Sequence, residues 1–192
     1  SIDLDSGRLD RLDAPAPQRS RFQLDGSEVR YRGPDGSEVV LRGHEDRVTS
    51  ARYSRDGARI VTASRDADAR IWNASDGALI HVLTGHFAAV DDAAFSPDGR
   101  WVVTAGPITA GLFDAQAGEL LLYLRGHKGR LTAAAFDPTG RWIVTAEVDG
   151  TVRAYRCELC GRAVQLLALA DRRLATIGRT LTPAERARYL GG

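Results

Sequence analysis

The dipeptide Gly-His occurs three times, at Gly43–His44, Gly85–His86 and Gly126–His127, with the histidines 42 and 41 residues apart. A fixed period of that length constrains a chain more than any composition does, because each repeat must be one supersecondary unit with the same plan. Ten residues beyond each histidine stands a turn sequence: SRDG (54–57), SPDG (96–99) and DPTG (137–140). Each turn leads into a β-rich run ending in Val-Thr-Ala, at 60–63, 102–105 and 143–146. An aromatic then closes a short strand, at Trp72, Phe113 and Tyr155; Gly77 and Gly118 turn the chain toward the next Gly-His. Each unit therefore reads as four short antiparallel strands joined by tight turns. The strands are apolar at both alternating positions, which predicts burial on both faces. One four-stranded sheet cannot bury both its faces alone. Radially stacked sheets can.

With these motifs in that order, the chain resembles the WD-repeat β-propeller family, over roughly Glu38 to Arg156. The resemblance is fullest in the first repeat and eroded in the second, where Gly106 stands for a serine and the aspartate is missing. In the third, Glu147 replaces the hydroxyl residue. An earlier, worn unit precedes them: Asp25 stands before Tyr31 as Asp66 stands before Trp72, so Val29–Arg32 and Glu38–Leu41 read as the last two strands of another blade. Upstream, 14–20 supplies no blade front, and Ile2–Leu9 reads as a strand–turn–strand remnant. The resemblance implies an all-β, partial β-propeller of four-stranded antiparallel blades. Propellers of this family are commonly larger, so missing chain or another copy would close the ring. An N-terminal strand would fill the fourth place in the last blade.

Taken alone, His44, Ser64 and Asp66 are the ingredients of a hydrolase triad. The resemblance implies a structural use instead: His44, Ser64, Asp66 and Trp72 form a hydrogen-bonded network tying the loop before a blade to its inner hairpin, and His127, Asp149 and Tyr155 form a partial copy. Such a network suits the chemistry of these groups, since an imidazole both donates and accepts. No Gly-x-Ser-x-Gly elbow is present, and an active site would not explain three graded copies. Nor can the histidines share a zinc ion. Successive blades separate them by about 15 Å, from four strands at about 4.8 Å each, against zinc–nitrogen bonds of about 2 Å.

Other chemistry is sparse. Cys157 and Cys160 have the spacing of half a zinc site or of a redox pair, without a second CxxC, so an inert turn in a reducing compartment is the expectation and metal binding the alternative. The only lysine, Lys128, is not in a Walker motif. Trp101 and Trp142 follow their turns at equivalent positions and are expected to pack blade edges. A net charge of +1 gives no field favouring nucleic acid or an anionic membrane, and no apolar run reaches the ~20 residues of a membrane span. No cofactor is implied.

After Tyr155 the β pattern stops. Leu167, Ala170, Leu174 and Ile177 have helical spacing, and Thr182, Pro183 and Glu185 form a helix start. This ending resembles the closing tail of bacterial WD-repeat signalling proteins, such as STAND-type NTPases and serine/threonine kinases. Arginine-rich basic composition adds to the expectation of a bacterial, cytoplasmic protein. The chain has no methionine and reads as a piece of something longer. The organisation expected is a worn blade over 1–37, three blades over 38–157 and a helical tail over 158–192. The function expected is a non-catalytic scaffold or sensor that binds protein partners. From the family's usual binding positions, Arg47, Arg65, Phe87 and Arg130 would carry the contact. The alternatives are an enzyme using His44, Ser64 and Asp66 or a metal at the cysteines, and a structural cap or decayed remnant.

Overall fold

A computed structural model describes residues 2–3, 8–9, 22–33 and 35–157. Its strands are β1 (Ile2–Asp3), β2 (Arg8–Leu9), β3 (Phe22–Asp25), β4 (Glu28–Arg32), β5 (Glu38–Leu41), β6 (Val48–Tyr53), β7 (Arg59–Ser64) and β8 (Ala69–Asn73). They continue with β9 (Leu79–Leu83), β10 (Asp92–Phe95), β11 (Trp101–Ala105), β12 (Ala110–Asp114), β13 (Leu120–Leu124), β14 (Leu131–Phe136), β15 (Trp142–Glu147) and β16 (Val152–Arg156). All pairings given are antiparallel between chain neighbours. They form two four-stranded sheets, β6–β9 and β10–β13, two three-stranded sheets, β3–β5 and β14–β16, and the small β1–β2 pair. The chain divides into two units, Ser1–Tyr155 and Arg156–Gly192. The helical tail expected over 158–192 lies outside the described residues.

The turns explain themselves locally. In each, the first residue's side chain accepts the N–H of the residue five further on: Ser54 from Arg59, Ser96 from Trp101 and Asp137 from Trp142, at 2.9, 3.0 and 2.8 Å. The closing glycines, Gly57, Gly99 and Gly140, have φ of +74°, +70° and +71°, a region other residues enter at a cost.

The inner strands of sheet β6–β9 are buried on both faces, while β9 at its outer edge is mostly exposed. Ile60 and Trp72 pack toward β3–β5, together with Phe22, Val29, Tyr31, Leu41 and Ala51. Val61, Ala63, Ala69 and Ile71 pack the other way, with Val90, Ala93, Val102 and Phe113 of the next sheet. That two-sided burial is why Ile60, Val61 and Ala63 of β7 are apolar on both faces, with Thr62 and Ser64 the polar residues buried among them. At the first interface Phe22 stacks on Tyr53 with ring centres 4.7 Å apart. The Tyr31 hydroxyl there donates to the Ala74 carbonyl at 3.0 Å; burial pushes its pKa up to about 12, so it stays a donor.

Strand β3 was not foreseen: the expected worn unit had only the two strands β4 and β5. Its signal was weak because only Phe22 of its four residues is buried. The last sheet has three strands among the described residues.

Polar ties run between sheets as well. The Arg52 guanidinium on β6 donates to both oxygens of Asp92 on β10, with Nη2 at 3.0 and 2.8 Å. Asp92 is 1% exposed and also receives the Ala134 N–H of β14 at 3.4 Å. One carboxylate thus touches three successive sheets. Arg59 reaches the Gly99 carbonyl at 2.5 Å and lies over the Phe95 ring.

Candidate functional site

The histidine loops enter the inner strands β6, β10 and β14. In the first repeat a chain of hydrogen bonds starts at an obligate donor and ends at an obligate acceptor. Trp72 Nε1 donates to Thr62 Oγ1 at 2.9 Å, Thr62 Oγ1 lies 2.7 Å from His44 Nε2, and His44 Nδ1 lies 2.7 Å from Asp66 Oδ2. An indole N–H can only donate and a carboxylate can only accept. The protons are thereby fixed: Thr62 O–H donates to Nε2, and the neutral imidazole carries its proton on Nδ1 and donates it to Asp66. Asp66 also accepts the Glu45 N–H at 3.0 Å, which holds the loop beyond the histidine. The Gly-His glycine has its own reason: Gly43 has φ +137°, and a Cβ there would lie 2.6 Å from Arg70 Nη1.

The bridging hydroxyl is therefore Thr62, where Ser64 was expected. Ser64 is buried but lies two residues on. Its Oγ donates to the Asp46 carbonyl at 2.9 Å and accepts the Asp66 N–H at 3.2 Å. It makes no bond to His44. Residues two apart in a strand share a face, so the cause is position along it: Thr62 stands in mid-strand within reach of Trp72 and His44, while Ser64 is the last residue of β7. The signal was present in the repeated Val-Thr-Ala, since the same bond recurs from Thr104 to His86 at 2.7 Å and from Thr145 to His127 at 2.9 Å.

The other two copies diverge around that shared bond. Phe113 has no N–H to give, and His86 Nδ1 is buried without a partner. Its ring fills the space where a side chain on Gly106 would be, since a Cβ there would lie 2.2 Å from Nδ1. In the third copy the Tyr155 hydroxyl lies 3.0 Å from His127 Nε2 and donates to the Arg125 carbonyl. Asp149, expected to serve His127, is exposed and accepts the Thr151 N–H at 2.8 Å, while His127 Nδ1 has no partner. Glu147 does the loop-holding instead. It accepts N–H groups of Lys128 and Gly129 at 3.1 and 2.8 Å, and Arg153 Nε at 3.1 Å.

Thr62, His44 and Asp66 have the connectivity of a hydroxyl–imidazole–carboxylate triad, yet Thr62 is 0% exposed and already holds two partners. A nucleophile must be reached by its substrate, and this hydroxyl is sealed. The arrangement braces rather than attacks.

Burial lowers the pKa of all three histidines, for His44 by more than Asp66 raises it. The unfolded chain titrates near 6.5. Below that value it takes up protons that the folded chain refuses, so stability is present above pH 6.5 and lost as pH falls through the lower folded values. Asp66 adds to the loss at lower pH. Burial raises its carboxyl, but the bonds from His44, Glu45 and Asp68 outweigh this and hold it below its usual value. We expect the urea midpoint to fall between about pH 7 and about pH 5. A midpoint that rises on acidification in that window would contradict the assignment.

At the same end of the sheets lies a cleft of about 380 Å³, lined by Leu24, Arg47, Val48, Thr49, Arg65, Asp91, Arg130, Thr132 and Val148. Every sheet from β3–β5 to β14–β16 contributes. Thr49 and Thr132 come from equivalent irregularities, where the β6–β7 and β14–β15 registers shift between Val48 and Ser50 and between Leu131 and Ala133. A bulge re-aims a side chain that regular pairing would place elsewhere. Arg65 N–H donates to the Arg47 carbonyl at 2.9 Å, which ties together the backbones of two arginines that both line the cleft. Arg130 is engaged: its Nε donates to Asp91 Oδ2 at 2.6 Å, and its Nη2 donates to Oδ1. Three of the four residues expected to meet a partner thus line one cleft. Phe87 does not, and stands 73% exposed on its own loop.

Cys157 is disulfide-bonded; Cys160 lies outside the described residues. Among the described residues there is no group of three or more His, Cys, Asp or Glu side chains placed to hold a metal ion, and no helix is long and apolar enough to cross a membrane. Trp101 is buried with Arg100 over its ring, consistent with packing.

Comparison with known proteins fits this architecture. The profile of the family described as WD domain, G-beta repeat matches residues 36–73, 77–107 and 118–156, more than half of the chain. The chain is 38% identical over 68 residues to nuclear distribution protein nudF of Aspergillus niger, covering 35% of this chain and 15% of that protein. It is 35% identical over 74 residues to human apoptotic protease-activating factor 1, covering 34% and 6%. To a WD repeat-containing protein 26 homolog of Arabidopsis thaliana it is 37% identical over 76 residues, covering 38% and 13%. The chain thus spans only a small fraction of each relative. These relatives come from a fungus, human and a plant, so they lend no weight to a bacterial source or to a particular signalling context. Three repeats matched in register, each folding as consecutive antiparallel strands behind a Gly-His loop, establish that the chain belongs to the WD domain, G-beta repeat family.

Proposed function

We propose that this chain is a non-catalytic protein-interaction module whose contact surface is the cleft at the histidine-loop end of the sheets, with Arg47 and Arg65 as its principal contacts. The observation that carries this is the cleft's construction: four sheets each send residues to it, and the buried braces at His44 and Glu147 hold the loops that bear Arg47 and Arg130. Rigid scaffolding beneath exposed loop residues is the usual arrangement for a binding surface. The braces are then support, and the sheets together are part of a β-propeller. Membership of a repeat family that generally mediates protein–protein contacts supports the same reading.

The experiment is site-specific photo-crosslinking. A photoreactive residue at Val148, which lines the cleft, should capture a defined partner protein that the same residue at Ile80, on the outer strand β9, does not. The purified partner should then bind the wild type and lose at least about tenfold in affinity to an R47E/R65E variant. Neither arginine side chain is buried, so that variant should unfold within about 0.5 kcal/mol of the wild type. Wild-type affinity in the double variant would remove this surface from consideration.

A further inference from the structure

The cleft also shows what kind of partner segment it takes. Its ionisable lining is Arg47, Arg65, Asp91 and Arg130. Asp91 is consumed by the two-pronged contact from Arg130. Arg47 and Arg65 are left, exposed and adjacent, with no carboxylate, carbonyl or ring partner for either guanidinium among the described residues. Several other guanidinium groups are engaged: Arg42 on Glu28, Arg52 on Asp92, Arg59 on Gly99, Arg153 on Glu147.

Nor does the loop supply its own counter-charge. Glu45 and Asp46 precede Arg47 but do not line the cleft, and Asp46 turns back to accept the Arg47 N–H at 2.6 Å. The remaining polar lining is already committed. Thr49 donates to the Val90 carbonyl at 2.6 Å and Thr132 to the Ala146 carbonyl at 3.3 Å. Arg47 and Arg65, joined through their backbones and lining the same cleft, are therefore its free cations, and each guanidinium offers N–H groups in the fork that suits a carboxylate. Around them lie aliphatic surfaces, Leu24 at 44% and Val148 at 67% exposure, with Val48 buried behind.

We propose that the cleft binds an acidic segment of a partner protein, in which Asp or Glu side chains bridge Arg47 and Arg65 while a neighbouring aliphatic side chain covers Leu24 and Val148. This rests on the reading of the cleft as the contact surface. An anion between the two arginines relieves their mutual repulsion, and the interaction gains strength as the cleft is covered and water excluded. A basic or neutral segment would leave that repulsion in place, which makes the pair selective as well as attractive.

The test is selection of phage-displayed random peptides on the 192-residue chain, followed by binding of the enriched sequences as labelled synthetic peptides. The expected winners carry two or more Asp or Glu beside Leu, Ile or Val. Their affinity should fall at least about tenfold in R47E/R65E, and likewise when each Glu is replaced by Gln. It should also weaken between about 50 and about 500 mM NaCl. An unchanged melting profile of R47E/R65E establishes that the loss is local. Neutral or basic winners that still lose binding in R47E/R65E would overturn the acidic occupant while leaving the surface standing. Winners indifferent to R47E/R65E, or no enrichment over bare support, would overturn both.

Discussion

Replacing Thr62 by valine should lower the free energy of unfolding by roughly 2–6 kcal/mol, with almost no change in side-chain volume to blame. The substitution strands two buried groups, the Trp72 N–H and the His44 Nε2 acceptor, at about 1–3 kcal/mol each. Thr62→Ser keeps the hydroxyl and loses one methyl, so it should cost only about 1 kcal/mol. The equivalent change in the second repeat supplies an internal scale. Thr104 has His86 as its close partner, and Phe113 offers no donor, so Thr104→Val should cost about 1–3 kcal/mol. Ser64→Ala breaks two contacts to loop backbone and leaves the Trp–Thr–His–Asp chain intact. It should therefore cost less than Thr62→Val. Urea denaturation of the four variants gives the order directly. A Thr62→Val protein as stable as the wild type would mean that the network is not what holds the loop. A Ser64→Ala protein that loses more than Thr62→Val would restore the serine to the position the sequence first suggested.

Asp92→Ala should be the other severe change, at about 3 kcal/mol. Removing one partner of a buried ion pair commonly costs about 3–5 kcal/mol, and the lower end applies because the Arg52 side chain is 35% exposed and can be rehydrated. The loss should be cooperative, since Asp92 joins β6, its own strand and β14. Its pH signature is opposite to that of the histidines. Burial raises the Asp92 carboxyl more than Arg52 and its hydrogen bonds lower it. The folded chain therefore binds this proton more readily than the unfolded one, whose value is 3.8. This contribution is fully present below 3.8 and is lost as pH rises through the higher folded value. Asp92→Asn, which cannot ionise, should remove that slope and retain an acceptor for Ala134. If unfolding midpoints of wild type and Asp92→Asn run parallel from about pH 4 to about pH 7, the carboxyl is not perturbed as argued.

Much of the fold could be read in the residues because a repeat states its rules several times. Turn residues Ser54, Ser96 and Asp137 all do the same thing, and three copies separate a rule from an accident. Strand β3 escaped notice because a short strand with one buried residue leaves no alternation to detect. Within the braces, the histidines and their carboxylate in the first repeat stood out as polar residues at fixed spacing. Thr62 was hidden in an apolar run, where a hydroxyl between Val61 and Ala63 looks like ordinary strand composition. Asp149 was placed by spacing alone, but the shift from Ser64 to Glu147 gave the third loop a longer acceptor and made the aspartate unnecessary.

What the sequence determined by itself is the unit: its period, its turns, its strand order and the two-sided apolar character that obliges sheets to stack. These follow from local propensity and spacing, which act within one repeat. Only the tertiary structure decided which hydroxyl meets the histidine, which carboxylate spans three sheets and which arginines stay unpaired. Those outcomes depend on distances between residues some 20 to 40 positions apart, such as His44 to Thr62, Arg52 to Asp92 and Asp91 to Arg130. Hydrogen bonds and ion pairs vanish within an ångström or two of misplacement, so chain spacing can nominate their members but not pair them.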